Sequence, residues 1–242
     1  MSARMDLSIV VPVHNERDNV APLLIEIEAA LNDAGLNYEA VFVDDASGDD
    51  TLQVLRALKR DHPRLRVVRH VRQAGQSTAV RTGVKAARGT WIATLDGDGQ
   101  NDPADIVTLL HARHAAAPNV RLFAGWRTQR RDDAIKRLSS KVANAVRSAA
   151  LGDATPDTGC GLKLFERAVF LDLPYFSHMH RFLPALIRRA GFEVQSVPVG
   201  HRPRVRGTSK YGVWNRLWVG LVDIVGVAWL RRRSRLTEVV EE

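Results

Sequence analysis

The chain has 242 residues, 45% of them hydrophobic, which is enough apolar material for one sizeable core with appendages and excludes global disorder. A single cysteine, Cys160, excludes an internal disulfide and a cysteine-built zinc site, and fits a reducing compartment. The net charge of +8 calls for an anionic partner: nucleic acid, an anionic membrane surface or a phosphorylated substrate. The few aromatics (6%) are not interleaved with a basic stripe, which argues against nucleic acid.

Met1 to Asp6 leads directly into the apolar run Leu7 to Val13, so a strand is expected there and no secretory signal. Val20, Leu23, Leu24, Ile27 and Leu31 follow at helical spacing. Glu39 to Val43 reads as a second strand ending at Asp44-Asp45, and Leu52, Leu55 and Leu58 mark a short helix capped from Ser47 to Asp50. Leu65 to Val68 is a third strand. Ser77 is expected to cap a helix through Val80 and Val84, stopped by Gly89, and Thr90 to Leu95 is a fourth strand. Pro103 to Ala116 reads as a helix with Asp102 as its cap, Leu122 to Gly125 as a strand and Ala134 to Leu151 as a long helix. A loop from Gly152 to Gly161, an extended segment from Leu162 to Phe165, a helix near His180 to Arg189 and a strand from Phe192 to Pro198 follow. Alternation of strands and helices predicts an α/β fold, a parallel sheet covered on both faces.

The run Leu95-Asp96-Gly97-Asp98-Gly99-Gln100-Asn101-Asp102-Pro103 carries the most chemical information. Two carboxylates, one residue apart, follow a strand, at the edge where α/β sheets bind ligands. Glycines after each aspartate allow a sharp turn and close approach of a ligand. Two hard oxygen donors suit a divalent cation that also holds a diphosphate. A calcium EF-hand does not fit, because its sixth position would be Asn101 and its twelfth Val107. The first turn reads Pro12-Val13-His14-Asn15-Glu16 rather than G-x-G-x-x-G, which argues against a dinucleotide-binding domain.

Near the C-terminus, Leu217 to Leu230 is almost entirely apolar but too short to span a bilayer. Arg216, Gly220, Asp223, Val227 and Arg231 form a narrow stripe, bordered by Trp214, Trp218 and Trp229 and closed by Arg231-Arg232-Arg233. This pattern predicts an interfacial helix lying in the headgroup layer; the competing reading is a helix docked on the core or on another copy. Residues 1–212 are expected to form the catalytic domain and 213–242 an amphipathic, membrane-associated helix with a basic tail.

Taken in order, Val10 to Glu16, Val43 to Thr51, Gly75 through Gly83 to Gly89, Leu95 to Pro103, Asp157-Thr158-Gly159-Cys160-Gly161-Leu162-Lys163 and Gly207-Thr208-Ser209-Lys210-Tyr211 resemble a family 2 glycosyltransferase of GT-A fold. The narrower resemblance, over residues 7 to 212, is to the dolichol-phosphate mannose synthase and undecaprenyl-phosphate sugar transferase branch. It implies that Pro12, Val13, Glu16, Asp44, Asp45 and Gln73 line a nucleotide-sugar pocket, Asp44 or Asp45 accepting from base or ribose. It implies that Asp96, Asp98 and Gln100 face Mg²⁺ or Mn²⁺ and the diphosphate, with Asp98 and Arg127 catalytic. Arg127, Arg137, Arg202 and Lys210 would surround an acceptor phosphate. The branch often has an apolar residue where this chain has Gly99.

Inverting transferases that use hydroxyl acceptors need a carboxylate base, yet Ser177 to Phe182 contains no Glu-Asp pair. A phosphate monoester, already ionised, needs none. The resemblance therefore implies transfer from a GDP- or UDP-sugar to a polyprenyl phosphate, peripherally at the cytoplasmic face of a membrane, with a membrane-anchor protein as a possible partner. A hydroxyl acceptor, or a non-catalytic module binding nucleotides or anionic lipids, are the alternatives. His178 and His180, two apart, do not share a helix face and read as structural; Cys160 reads as a packing residue.

Overall fold

The computed structural model describes residues 5–128, 151–153, 155–203, 213–234 and 237. The first half follows the apolar periods closely. Strands β1 (Leu7–Val13), β2 (Tyr38–Asp44), β3 (Leu65–Arg69) and β4 (Trp91–Thr94) alternate with helices α1 (Val20–Asp33), α2 (Thr51–Leu58) and α3 (Gln76–Ala86). Helix α4 (Asp105–Ala115), β5 (Val120–Arg127), β6 (Lys163–Glu166), α5 (Arg167–Leu171), α6 (Leu183–Arg189), β7 (Glu193–Val199) and α7 (Val213–Arg232) follow, with a 3-10 turn at Met179–Arg181.

The seven strands form one sheet in the order β3-β2-β1-β4-β6-β5-β7. It is mixed, not parallel throughout as the alternation predicts: β6 runs antiparallel to both β4 and β5, while β5 and β7 pair in parallel. Neighbouring side chains along each strand point to opposite faces, and those two apart share a face. Ile9, Val11, Ala40 and Phe42 join α1, α2 and α4 in one apolar cluster. Val10, Val41 and Val43 join α3, α5, α6 and Val227 of α7 in the other. Helices thus cover both faces, as expected of the α/β class.

Three local expectations differ. Gly75, at φ +86°, takes the position before α3, and the Ser77 hydroxyl does not cap the helix but bonds to His180. Helix α4 starts at Asp105, because Asp102 first closes a turn by accepting the Ala104 N–H. The short α5 was not expected. Most of the predicted helix from Ala134 to Leu151, with Arg137, lies outside the described residues, as does Lys210.

At the N-terminal edge of the sheet, opposite the aspartates, buried Glu39 accepts from Ser8 Oγ (2.7 Å), the Arg88 N–H (2.6 Å) and Arg66 Nη1 (2.8 Å). Burial opposes its ionisation, but Arg66, the Arg88 amide and Ser8 hold its pKa below the ordinary value. Breaking such a buried pair from one side leaves a charge and two donors unanswered. Glu39→Ala is therefore expected to cost about 3–5 kcal/mol in urea unfolding at pH 7. Because the folded pKa is depressed, this stability is present above the unfolded value of about 4.3. The gap between the variant and the parent should narrow as pH falls through the folded pKa; a gap independent of pH between 7 and 3 contradicts the ion-pair account.

Candidate active site

The C-terminal ends of β1, β2, β4, β5 and β7 lie along one edge, and β6, running the other way, starts there. Two loops rising from β1 and β2 interlock. The Asn15 N–H donates to Ser47 Oγ (2.9 Å), the Gly48 N–H to Asn15 Oδ1 (2.7 Å) and the Glu16 N–H to Thr51 Oγ1 (2.9 Å). Asn15 and Ala46 hold left-handed backbone, at φ +54° and +55°. Each such residue costs about 1–3 kcal/mol, and this lattice offsets it. Glu16 also accepts from Asn19 Nδ2 at 2.6 Å.

The paired aspartates at the ends of these strands differ from one another. Asp44 is almost fully buried; its Oδ1 accepts the Ser47 N–H at 3.3 Å and its Oδ2 is buried without a hydrogen-bond partner among the described residues. Asp45 accepts from the amides of Ala74 and Gly75 (2.8 Å each) and pairs with His70 Nδ1 at 2.7 Å. Burial works against its charge, yet His70 and the two amides hold its pKa below the ordinary range. Asp45 thus braces the β3–α3 loop on which Gln73 sits exposed.

The two acids after β4 lie beside Pro12 and Val13. A Cβ at Gly97 would come within 2.6 Å of Val13 Cγ1 and 3.1 Å of the Pro12 carbonyl, so only glycine lets the turn lie flush on β1. Asp98 Oδ1 accepts the Gln100 N–H at 3.1 Å. Asp96 accepts from Gln76 Nε2 at 2.8 Å, and its amide donates weakly to Asn101 Oδ1. Burial and then the neighbouring Asp98 charge push the Asp96 pKa up to about 6, against the pull of Lys163 and Arg127. Among the described residues no three His, Cys, Asp or Glu side chains converge as a complete metal cage. A carboxylate whose ionisation is opposed by burial and by a second carboxylate two residues on is nonetheless part of a donor set that a hard divalent cation would relieve, with a bound diphosphate supplying further oxygens.

Arg127 ends β5 at the same edge. Its Nε and Nη2 donate to the two oxygens of Asp157 at 2.6 and 2.9 Å, a two-pronged lock with both partners largely buried. Arg202 reaches the site by its backbone, its N–H donating to the Gln100 carbonyl at 3.0 Å. The Arg202 guanidinium is held by Glu26 of α1 and Asp102, at 2.6 Å each, in exposed pairs. It braces the outside of the aspartate loop.

Several residues at this edge carry no role in the sequence reading. Gln76, Asn101, Asp157, Gly161 and Lys163 all touch an expected site residue or its support. A methyl on Gly161 would overlap the Asp96 carboxylate, and the Gly161 carbonyl accepts Thr94 Oγ1 at 2.7 Å. The advance signal is that all five lie in matching motifs: Gln76 in Gly75 to Gly89, Asn101 in Leu95 to Pro103, and the other three in Asp157 to Lys163. His180 and His178 are structural, as their spacing suggests: His180 bonds Ser77 at 2.7 Å, and His178 pairs with Asp223 of α7 at 3.2 Å. Burial, with Lys163 nearby, holds the His180 pKa well below its ordinary value, so the ring is neutral.

The family model described as "Glycosyl transferase family 2" matches residues 8–173, spanning every strand end that carries these acids. The chain belongs to glycosyl transferase family 2. Within this family, it is 34% identical over 232 residues to a dodecaprenyl-phosphate galacturonate synthase of Rhizobium johnstonii, covering 94% of this chain and 68% of that protein. It is 32% identical over 237 residues to an undecaprenyl-phosphate 4-deoxy-4-formamido-L-arabinose transferase of Edwardsiella ictaluri, covering 97% of this chain and 72% of the relative. Its fold is that of a mannosyltransferase from Pyrobaculum calidifontis solved with GDP-Man and Mn²⁺ (TM-score 0.67, 21% identity, 98% of this chain and 66% of the other). Glucosyl-3-phosphoglycerate synthase from Mycobacterium tuberculosis, solved with Mn²⁺ and UDP, is similar (TM-score 0.69, 19% identity, 95% and 80%). The enzyme is a glycosyltransferase of GT-A fold, as the motifs implied.

Gly161→Ala tests the packing of this site. The added methyl should displace the Asp96 carboxylate and lower glycosyl transfer at least 100-fold, while circular dichroism still reports a folded chain. Activity within threefold of the parent would mean that Asp96 need not sit against Gly161.

Proposed function

We propose that this enzyme transfers a sugar from a nucleotide sugar to a polyprenyl phosphate, working peripherally at a membrane surface. The observation that carries the acceptor assignment is the absence of a base where a hydroxyl acceptor would need one. Residues 174–182 contain no acid, His178 is engaged by Asp223 and neutral His180 by Ser77. A phosphate monoester, with a second pKa of about 6, arrives ionised. The two named relatives, both acting on polyprenyl phosphates by their names, support the same reading.

In this reading Pro12, Val13, Glu16, Asp44 and Gln73 line the nucleotide pocket, and Asp45 shapes it from beneath. Asp96, Asp98 and Gln100 would hold Mg²⁺ or Mn²⁺, which when bound would neutralise charge growing on the leaving diphosphate. Arg127, its Nε edge fixed by Asp157, would present Nη1 to the acceptor phosphate and orient its oxygen toward the anomeric carbon. Arg137 and Lys210 would complete that pocket.

The C-terminal helix supports a surface location. Val227 is buried and Ile224 and Ala228 pack against the core, while Arg189 Nε donates to the Leu230 carbonyl at 3.0 Å. Leu221, Val222, Val225 and Trp229 are 51–70% exposed on the other side. Docking on the core and lying on a membrane are therefore compatible readings of one helix. No helix of the described residues is long and apolar enough to cross a membrane. A separate membrane-anchor protein could pair with the same face.

Two measurements test these assignments. Radiolabelled GDP- and UDP-sugars, incubated with short polyprenyl phosphates and Mn²⁺, should yield an organic-extractable product. Chelation should abolish it and Asp98→Ala should reduce it at least 100-fold. Folded enzyme inactive with all common donors would refute the acceptor assignment. Val225→Glu with Trp229→Ser should weaken sedimentation with anionic phosphatidylglycerol vesicles at least tenfold and leave neutral-vesicle binding low; unchanged sedimentation would remove α7 from the membrane contact.

A further inference from the structure

Lys163 is the first residue of β6, paired with Thr94 of β4 and Ala124 of β5, and is 3% exposed. A lysine in the middle of a sheet, with its ammonium inside, is costly unless its protons are used. Here the ammonium donates to the carbonyl of Cys160 and, at 3.4 Å, to that of Thr158. It therefore folds the segment 157–161 back over the start of its own strand. That segment does two things at the site. Its Asp157 takes both prongs of Arg127, and its Gly161 lies flat against the Asp96 carboxylate. The acid on one side of the reaction and the arginine on the other thus depend on one short loop, and Lys163 ties that loop at two carbonyls.

We propose that Lys163 is a positioning residue for sugar transfer: it holds the 157–161 loop so that Asp96 and Arg127 face a common opening. It touches neither donor nor acceptor. The expectation for acceptor geometry rests on Arg127 acting as proposed above; the expectation for the loop does not.

Lys163→Met keeps the stem and removes the charge; withdrawing one partner from a buried ionic cluster is destabilising, so the variant is assayed well below its own unfolding transition. The variant should fold, lose at least 30-fold in kcat, and keep the donor KM within threefold. Lys163→Arg, which can again donate to two carbonyls, should recover at least tenfold of that loss. Amide hydrogen exchange, which needs no substrate, should speed at least tenfold at residues 158–161 in Lys163→Met and stay within threefold of the parent in Lys163→Arg. The proposal is overturned if kcat of the methionine variant stays within threefold of the parent, if the loss lies wholly in donor KM, or if exchange in the loop is unchanged. Should the methionine variant not fold, a folded Lys163→Arg protein that is as inactive as Asp98→Ala overturns it equally, and one within tenfold of parental kcat supports it. A parent enzyme that glycosylates no polyprenyl phosphate would count against the acceptor assignment, and loop exchange alone would then decide the role of Lys163.

Discussion

Opposite charges held out of water govern the geometry of this enzyme's reaction edge. Arg127 and Asp157 meet by two short hydrogen bonds in a largely buried setting. Lys163 and Asp96 lie close enough to shift one another's protonation. In a low dielectric each of these charges is strongly coupled to its partner and expensive to leave alone. The cluster is accordingly stiff: moving Arg127 strands Asp157, and moving the Asp157 loop uncovers Asp96. In the proposed reaction a metal-bound diphosphate and a second phosphate would have to meet without repelling each other, and such fixed positions would favour that, since the arginine fork would be placed before the substrates arrive.

The loops proposed to hold the nucleotide are made rigid by different means. The β1 and β2 loops spend backbone strain at Asn15 and Ala46, and they recover it through a lattice of serine, threonine and asparagine bonds to amides. Asp45 extends the lattice to a third loop through His70, whose other nitrogen bonds Thr82 of α3.

The sequence disclosed the first half of the fold well, because β1 to β4 are each rich in apolar and β-branched residues bounded by polar turns, and α1 to α3 carry apolar residues at helical spacing. Boundaries fall within about a residue or two of those runs. The direction of β6 was not legible: a four-residue apolar strand has the same pattern whichever way it runs, and only its partners β4 and β5 decide it. That one reversal is what carries Asp157, Gly161 and Lys163 to the aspartates, so the missed strand direction and these three missed residues have one cause. Paired acids one residue apart announce a cation from local spacing. Arg127 and Asp157, thirty residues apart, and Ser77 and His180, 103 apart, meet only through the tertiary fold. Arg202, three residues past β7, likewise meets Glu26 of α1 and Asp102 only through the tertiary fold.

The same connectivity bears on how a membrane surface and a soluble donor could meet. Asp223 of α7 pairs with His178, two residues before His180; His180 bonds Ser77; and Gln76, adjacent to Ser77, holds Asp96. The helix with the exposed apolar face is therefore joined to the acid at the reaction edge by side-chain hydrogen bonds and short stretches of backbone. A polyprenyl phosphate keeps its tail in the hydrocarbon and its phosphate at headgroup level, so an enzyme acting on it needs its arginines at that level and has no use for residues deeper in the bilayer. A helix docked along one side, with Leu221, Val222, Val225 and Trp229 facing outward, would set that level by shallow immersion. Its attachment to the 3-10 turn would keep Asp96 at a fixed height above it.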